Sequence, residues 1–180
     1  MDFRDISPRS LTWTRGGRNG NIVASRSSST RPIVFQIPRM NATISTHSPG
    51  MYRMDVKLNM ADNTHRQFAD WIADLEQSAV GTWSSTLNKS NFLYNDGFRV
   101  MFFADTNVFD STGALSVDFF KAKSVSSLCI LQGLWTSADK YGIRFNVKQL
   151  KFFEDPLEYE NSSKEEEIVA NNSFMFIDDD

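Results

Sequence analysis

The chain has very little of the residues that build covalent or metal-held scaffolds. Among 180 residues there is a single cysteine, Cys129, so an internal disulfide and a cysteine-rich zinc site are both excluded. Two histidines, His47 and His65, have no Cys, Asp or Glu around them at metal-ligand spacing, and both are expected to face solvent. No stretch approaches the roughly 18 to 20 apolar residues of a membrane span, so no membrane partner is expected. The opening MDFRDISPRS mixes acids with bases and has no apolar run behind it. No secretory signal is therefore expected, and the expected location is intracellular. Phosphate-binding glycine loops, dinucleotide fingerprints and nucleophile elbows are all missing. Asp110-Ser111-Thr112-Gly113 reads first as a turn. With body acids scattered rather than paired, the expectation is a non-enzyme without catalytic residues, metal or cofactor.

What is present is charge asymmetry and aromatic residues. From Glu154 onward ten acids face one base, Lys164. The 22 acids and 19 bases of the whole chain leave 12 acids and 18 bases for residues 1–153, a body of about +6 carrying a tail of about −9. A basic body suits a polyanionic partner, and a block of acids suits an exposed interaction tail. The tail closes on NNSFMFIDDD, where Phe174, Met175, Phe176 and Ile177 precede Asp178, Asp179 and Asp180. Grease beside charge at a terminus reads as a docking peptide.

Three segments follow. Residues 1–31 are rich in Gly, Ser, Asn and Arg and read as a flexible arm, with NIVAS able to add an edge strand. Residues 32–153 read as the folded domain, and residues 154–180 as the acidic tail. Within the domain, PIVFQIP reads as a strand bounded by prolines. In MYRMDVKLNM, Tyr52, Met54, Val56, Leu58 and Met60 alternate with Arg53, Asp55, Lys57 and Asn59, giving a strand with one dry and one wet face. The period then lengthens: Phe68, Trp71, Ile72 and Leu75 form a helical stripe, started by Asp62, Asn63 or Thr64 and ended by Gly81. FRVMFFAD, LSVDFFKAKS and SLCILQGLWTSADKYGIRFNVKQLKFF supply further strands. Six or seven strands and one helix give a mainly β fold class, with turn spacing that suggests a small barrel.

A single nucleic-acid strand is held by cations that follow its phosphates and by rings that stack on its bases at about 1–3 kcal/mol each. Arg53 and Lys57 sit on the wet face of one strand, Arg144 and Lys148 on that of another, and Arg99, Lys121, Lys123 and Lys151 add positive charge elsewhere. Trp135 and Tyr141 flank the polar TSADKYG hairpin. Phe119 and Phe120 are neighbours, so only one of them can face the core and Phe120 is the stacking candidate. Sequence-specific reading of a duplex is less favoured, because the one helix is acidic on its wet face.

The ordered series PIVFQIPRM, YRMDVKL, FADWIADLE with Trp83, FRVMFF and LQGLWTSADKYGIRFNVKQLKFF resembles the single-stranded DNA-binding proteins of large DNA viruses and phages. The resemblance covers about residues 32–153. It implies a divergent OB fold and a protein that coats unwound DNA in a viral replication compartment during replication and recombination. It also implies an acidic tail that recruits replication proteins and competes with DNA; a homo-oligomer is left open. The alternative from another class is a non-catalytic structural β-protein of a virion, with arm and tail docking on neighbouring subunits.

Overall fold

The computed structural model describes residues 2–15, 22–26, 32–80, 88–136 and 140–157. Trp83, the hairpin residues 137–139 and the tail residues Phe174, Phe176, Ile177, Asp178, Asp179 and Asp180 lie outside the described residues. Nine strands and one helix make up the described part: β1 (Leu11–Arg15), β2 (Ile22–Arg26), β3 (Ile33–Ser48), β4 (Met51–Lys57), α1 (Asn63–Val80), β5 (Asn88–Lys89), β6 (Gly97–Phe103), β7 (Asn107–Phe109), β8 (Ser124–Thr136) and β9 (Lys140–Phe153). The mainly β, OB-fold-like class expected from the sequence is what the structure has.

All nine strands share one sheet. Its main path runs β1-β2-β8-β3-β4-β6, and β9 pairs along the other edge of β8. The long strands earn their places by alternation. Tyr52, Met54 and Val56 turn inward from β4, while Arg53, Asp55 and Lys57 turn outward. β3 and β8 are longer than the sequence suggests and bend as they go. Register shifts between Ile37 and Met40, where Pro38 lacks an N–H, and within the β8–β9 pair curl the sheet. Among the described residues the expected barrel is not closed: β6 pairs with β4 alone, and β9 pairs with β5 at one end and β7 at the other. The middle of β9 therefore presents an open edge, and a seam is left between β6 and β9.

The helix follows the sequence stripe. Asp62 caps it by accepting from the backbone N–H of His65 at 2.9 Å, and Phe68, Trp71, Ile72 and Leu75 are all buried. Burying four such side chains stabilises the fold by about 1.5–3 kcal/mol each relative to exposure. His65 does not face solvent as expected. It is buried, its Nδ1 accepts from the Asn59 N–H at 2.9 Å, and its Nε2–H donates to the Arg39 carbonyl at 2.8 Å. The ring ties the start of α1 to β3. No described helix is long and apolar enough to cross a membrane.

Within the segment read as a flexible arm, residues 2–15 pack on the fold. Phe3 meets Phe68 edge-on at 5.3 Å, the Trp71 indole N–H donates to the Ile6 carbonyl at 2.8 Å, and the Trp13 indole N–H donates to the Ser78 hydroxyl at 3.1 Å. Leu11 and Trp13 face inward from β1 while Thr12 and Thr14 face out. NIVAS supplies β2, which is not an edge strand but lies between β1 and the end of β8. At the other end, the first residues of the acidic segment are pinned. The Ser124 hydroxyl donates to the Asp155 carbonyl at 2.8 Å, and Asn41 Oδ1 accepts from the Leu157 N–H at 2.7 Å.

Candidate nucleic-acid groove

The open seam is also where the surface is hollowed. A groove of about 720 Å³ runs there, bounded by β6 on one side and β9 with the end of β8 on the other, and floored by residues 90–94. Strand parity decides which side chains stand up along its walls, while inward-turned Val100, Ile143 and Phe145 also line it. On β6, Phe98, Val100 and Phe102 are buried, so Arg99, Met101 and Phe103 face the groove. On β9, Ile143, Phe145 and Val147 turn inward, which turns Arg144 and Asn146 out to the opposite wall. Gln132 and Trp135 reach in from β8.

Four rings that are not fully buried line this space, one of them Phe92, which packs against Phe98 and Phe145. Tyr94 is 42% exposed, Phe103 is 45% exposed, and Trp135 is half-buried. A half-exposed ring in a groove keeps one face for a partner's π-system. Tyr94 is delivered by a two-residue turn, Asn95-Asp96, whose positive φ values of 47° and 56° let Tyr94 and Gly97 exchange backbone hydrogen bonds.

Two cations, Arg99 and Arg53, are gathered around one acid. Asp55 stands opposite Arg99 in the β4–β6 register. Its Oδ1 accepts from Arg99 Nε at 2.6 Å and from the Tyr94 hydroxyl at 3.2 Å, while Oδ2 lies 2.9 Å from Arg53 Nε. The Arg99 guanidinium also stands 5.8 Å from the centre of the Tyr94 ring. Burial acts to raise the Asp55 carboxyl; hydrogen bonding and charge from Arg99, the Tyr94 hydroxyl and Arg53 overcome it and hold the group below its usual range.

Of the residues singled out from the sequence, the groove brings together Arg99, Trp135 and Arg144, with Arg53 joined through Asp55. Lys57 and Lys148 are exposed further along the outward faces of β4 and β9 and do not line it. Tyr141 is a correction: it is buried, because it shares the inward parity of Ile143, Phe145 and Val147. Phe120, Lys121 and Lys123 are not strand residues facing a common ligand. Phe119–Lys121 is a 3-10 turn, with Phe119 buried, Phe120 exposed and packed on Tyr52, and Lys121 paired to Asp118 at 2.5 Å. Lys123 is exposed just ahead of β8. None of these three lines the groove. Lys151 is buried as well, its Nζ 5.3 Å from the Phe153 ring centre.

Tyr94 and Phe103 were missed from the sequence. Phe103 carries the same signal that singled out Phe120: it follows another phenylalanine on one strand, and Phe102 takes the core. Tyr94 carries no periodic signal, because it enters from a loop. Among the described residues no group of three or more His, Cys, Asp or Glu side chains could hold a metal ion. Burial pushes the Cys129 thiol up to about 12, so it is no nucleophile in the folded protein.

No family model matches the chain, and no curated protein matches it in sequence. Solved structures do. The fold is similar to that of gp2.5, a single-stranded DNA-binding protein encoded by bacteriophage T7, with a TM-score of 0.54 and 13% identity over 78% of this chain and 100% of that one. The single-stranded DNA-binding protein of bacteriophage Enc34 matches with a TM-score of 0.49 and 11% identity, over 86% of this chain and 96% of that one. The Enc34 protein in complex with single-stranded DNA matches with a TM-score of 0.45 and 11% identity, over 83% and 98%. In its fold, the chain resembles the phage single-stranded DNA-binding proteins.

Proposed function

We propose that the protein binds single-stranded DNA in the seam groove, without preference for base sequence and without a catalytic step. The observation that carries this reading is the composition of the groove: the partly exposed rings Tyr94, Phe103 and Trp135, with Phe92 at their base, between Arg99 on one wall and Arg144 on the other. Cations would follow the phosphates while the rings stack on bases of any identity. The fold shared with the T7 protein supports the same reading. In this role the protein coats unwound DNA during viral replication and recombination, inside the infected cell. The acidic tail then has two uses, recruiting replication proteins and competing with DNA for the basic groove.

The test is binding of a labelled oligothymidylate and of a duplex of equal length across a salt series. The single strand is expected to bind more tightly, with log affinity falling against log salt by about 0.7 for each phosphate neutralised. Equal binding of both, or none, would sink the reading. A chain ending at Leu157, which keeps the Asn41 and Ser124 anchors, is expected to bind the single strand more tightly than the full chain at equal salt. No gain there would remove tail competition. One feature favours the structural reading instead: Leu115, Val117 and Phe120 are exposed within six residues of one another and suit a neighbouring subunit. Absence of a single-strand preference would give that reading its support.

A further inference from the structure

An acid in the middle of a phosphate-binding surface is out of place unless it has a task. Asp55 is such an acid. It lies on the outward face of β4, in register with Arg99, and one carboxylate serves Arg99, Arg53 and the Tyr94 hydroxyl together. Among the described residues no acid is paired to Arg144, whereas Arg99 is already engaged by one, so the two walls of the groove differ. A phosphate offers a guanidinium the same partner that a carboxylate does, anionic oxygens matched to its fork. The two anions cannot both sit against Arg99 without repelling each other.

We infer that Asp55 is a built-in stand-in for a nucleic-acid phosphate, and that DNA binding proceeds by exchange: the phosphate takes Arg99 and the carboxylate retains Arg53. This rests on the single-stranded DNA reading of the groove and adds how that groove is regulated. Before DNA arrives, Asp55 keeps Arg99 extended along the groove wall and fixes Tyr94 through its hydroxyl. On exchange the Tyr94 hydroxyl is released, and its ring is freed to adjust to a base. Holding its retained partner Arg53 means that the displaced carboxylate is not left without a cation. The exchange lowers affinity, because the phosphate that takes Arg99 must first break an existing charge-assisted hydrogen bond. It also keeps binding readily reversible, which suits a protein that must leave its strand.

The experiment compares the full chain with Asp55→Asn for oligothymidylate binding over a salt series, with Asp70→Asn on the exposed face of α1 as the control for loss of one negative charge. Asp55→Asn is expected to bind about tenfold more tightly at low salt, and its slope against salt is expected to steepen by about 0.7. Asp70→Asn is expected to change neither by more than about twofold. If the amide fails to fold, Asp55→Thr suits a strand and gives the same reading. Wild-type binding with Asp55→Asn equal or weaker would overturn the exchange while leaving the DNA reading intact, as would an equal gain from Asp70→Asn. Failure of the wild type to bind single strands would overturn both.

Discussion

Trp135 packs over Gly142: three atoms of its indole lie within 2.9 Å of where a β-carbon on Gly142 would stand. The two residues are opposite each other in the β8–β9 register, so the glycine is what lets the ring lie against the sheet beside the groove. Gly142→Ala is therefore expected to push the ring off its seat. Single-strand affinity should fall by about fivefold to a hundredfold, the range of one stacked base, and approach that of Trp135→Ala. Anisotropy titration measures the loss, and a melting curve separates it from unfolding. Unchanged affinity in both variants would take Trp135 out of the site.

Glu76 fixes the floor of the groove from below. Its buried carboxylate accepts from the Phe92 N–H at 2.7 Å and lies 3.1 Å from Lys89 Nζ. Glu76→Ala leaves the Phe92 N–H without its acceptor and is expected to cost about 2 kcal/mol. Glu76→Gln keeps an acceptor and should cost less. Both are read by denaturant unfolding. The alanine variant should also bind single strands more weakly, since residues 90–94 carry Tyr94 into the groove.

Gly97 starts β6 beside Val56 of β4, and a β-carbon there would collide with the Val56 carbonyl oxygen. Backbone cannot rotate away as a side chain can. Gly97→Ala is expected to destabilise the fold by about 1–3 kcal/mol, seen as a lower Tm. Because Arg99 lies two residues on, the same change should loosen its pairing with Asp55.

Acid should weaken the fold in a defined direction. Asp55 is held below its usual range for the reasons given above. Asp110 is held low first by the Thr112 hydroxyl; desolvation opposes this, and the backbone N–H groups of its turn add to the hydroxyl to outweigh it. A carboxyl whose pKa is lower folded than unfolded contributes stability above the unfolded value, and loses it as pH falls through the folded one. The Tm is therefore expected to drop as pH falls from about 5 to about 3, and Asp55→Asn should remove part of that slope. A Tm indifferent to pH in that window would contradict the pairing.

Much of this was legible in the sequence, and the failures have physical causes. The stripe Phe68, Trp71, Ile72 and Leu75 declared the helix because four buried residues at helical spacing have no other use. Arg144 was found by strand parity, and Arg99 as a cation within an apolar strand. The same parity places Tyr141 inward with Ile143 and Phe145, but its position beside a polar hairpin suggested the surface. β5 and β7, at two and three residues, are too short to show a period and exist because β9 offers its edge to them. β1 was hidden by its setting: Leu11 and Trp13 alternate properly with Thr12 and Thr14, inside a stretch whose composition reads as unfolded. The seam, which makes the groove, follows from which strands pair over long range, and no local pattern encodes that.

The open middle of β9 has a consequence for the backbone itself. In an antiparallel strand alternate amides point to opposite edges. Between its pairings with β5 and β7, β9 therefore aims a share of its N–H groups into the groove, where no strand among the described residues receives them. Those amides are expected to exchange their hydrogens with solvent without the unfolding that the amides facing β8 require. The strand thus carries a shielded edge and a wet edge on one stretch of chain, and the wet edge would be covered when the groove is filled. The protein holds its own reporter of occupancy, written in the protection of a few backbone hydrogens.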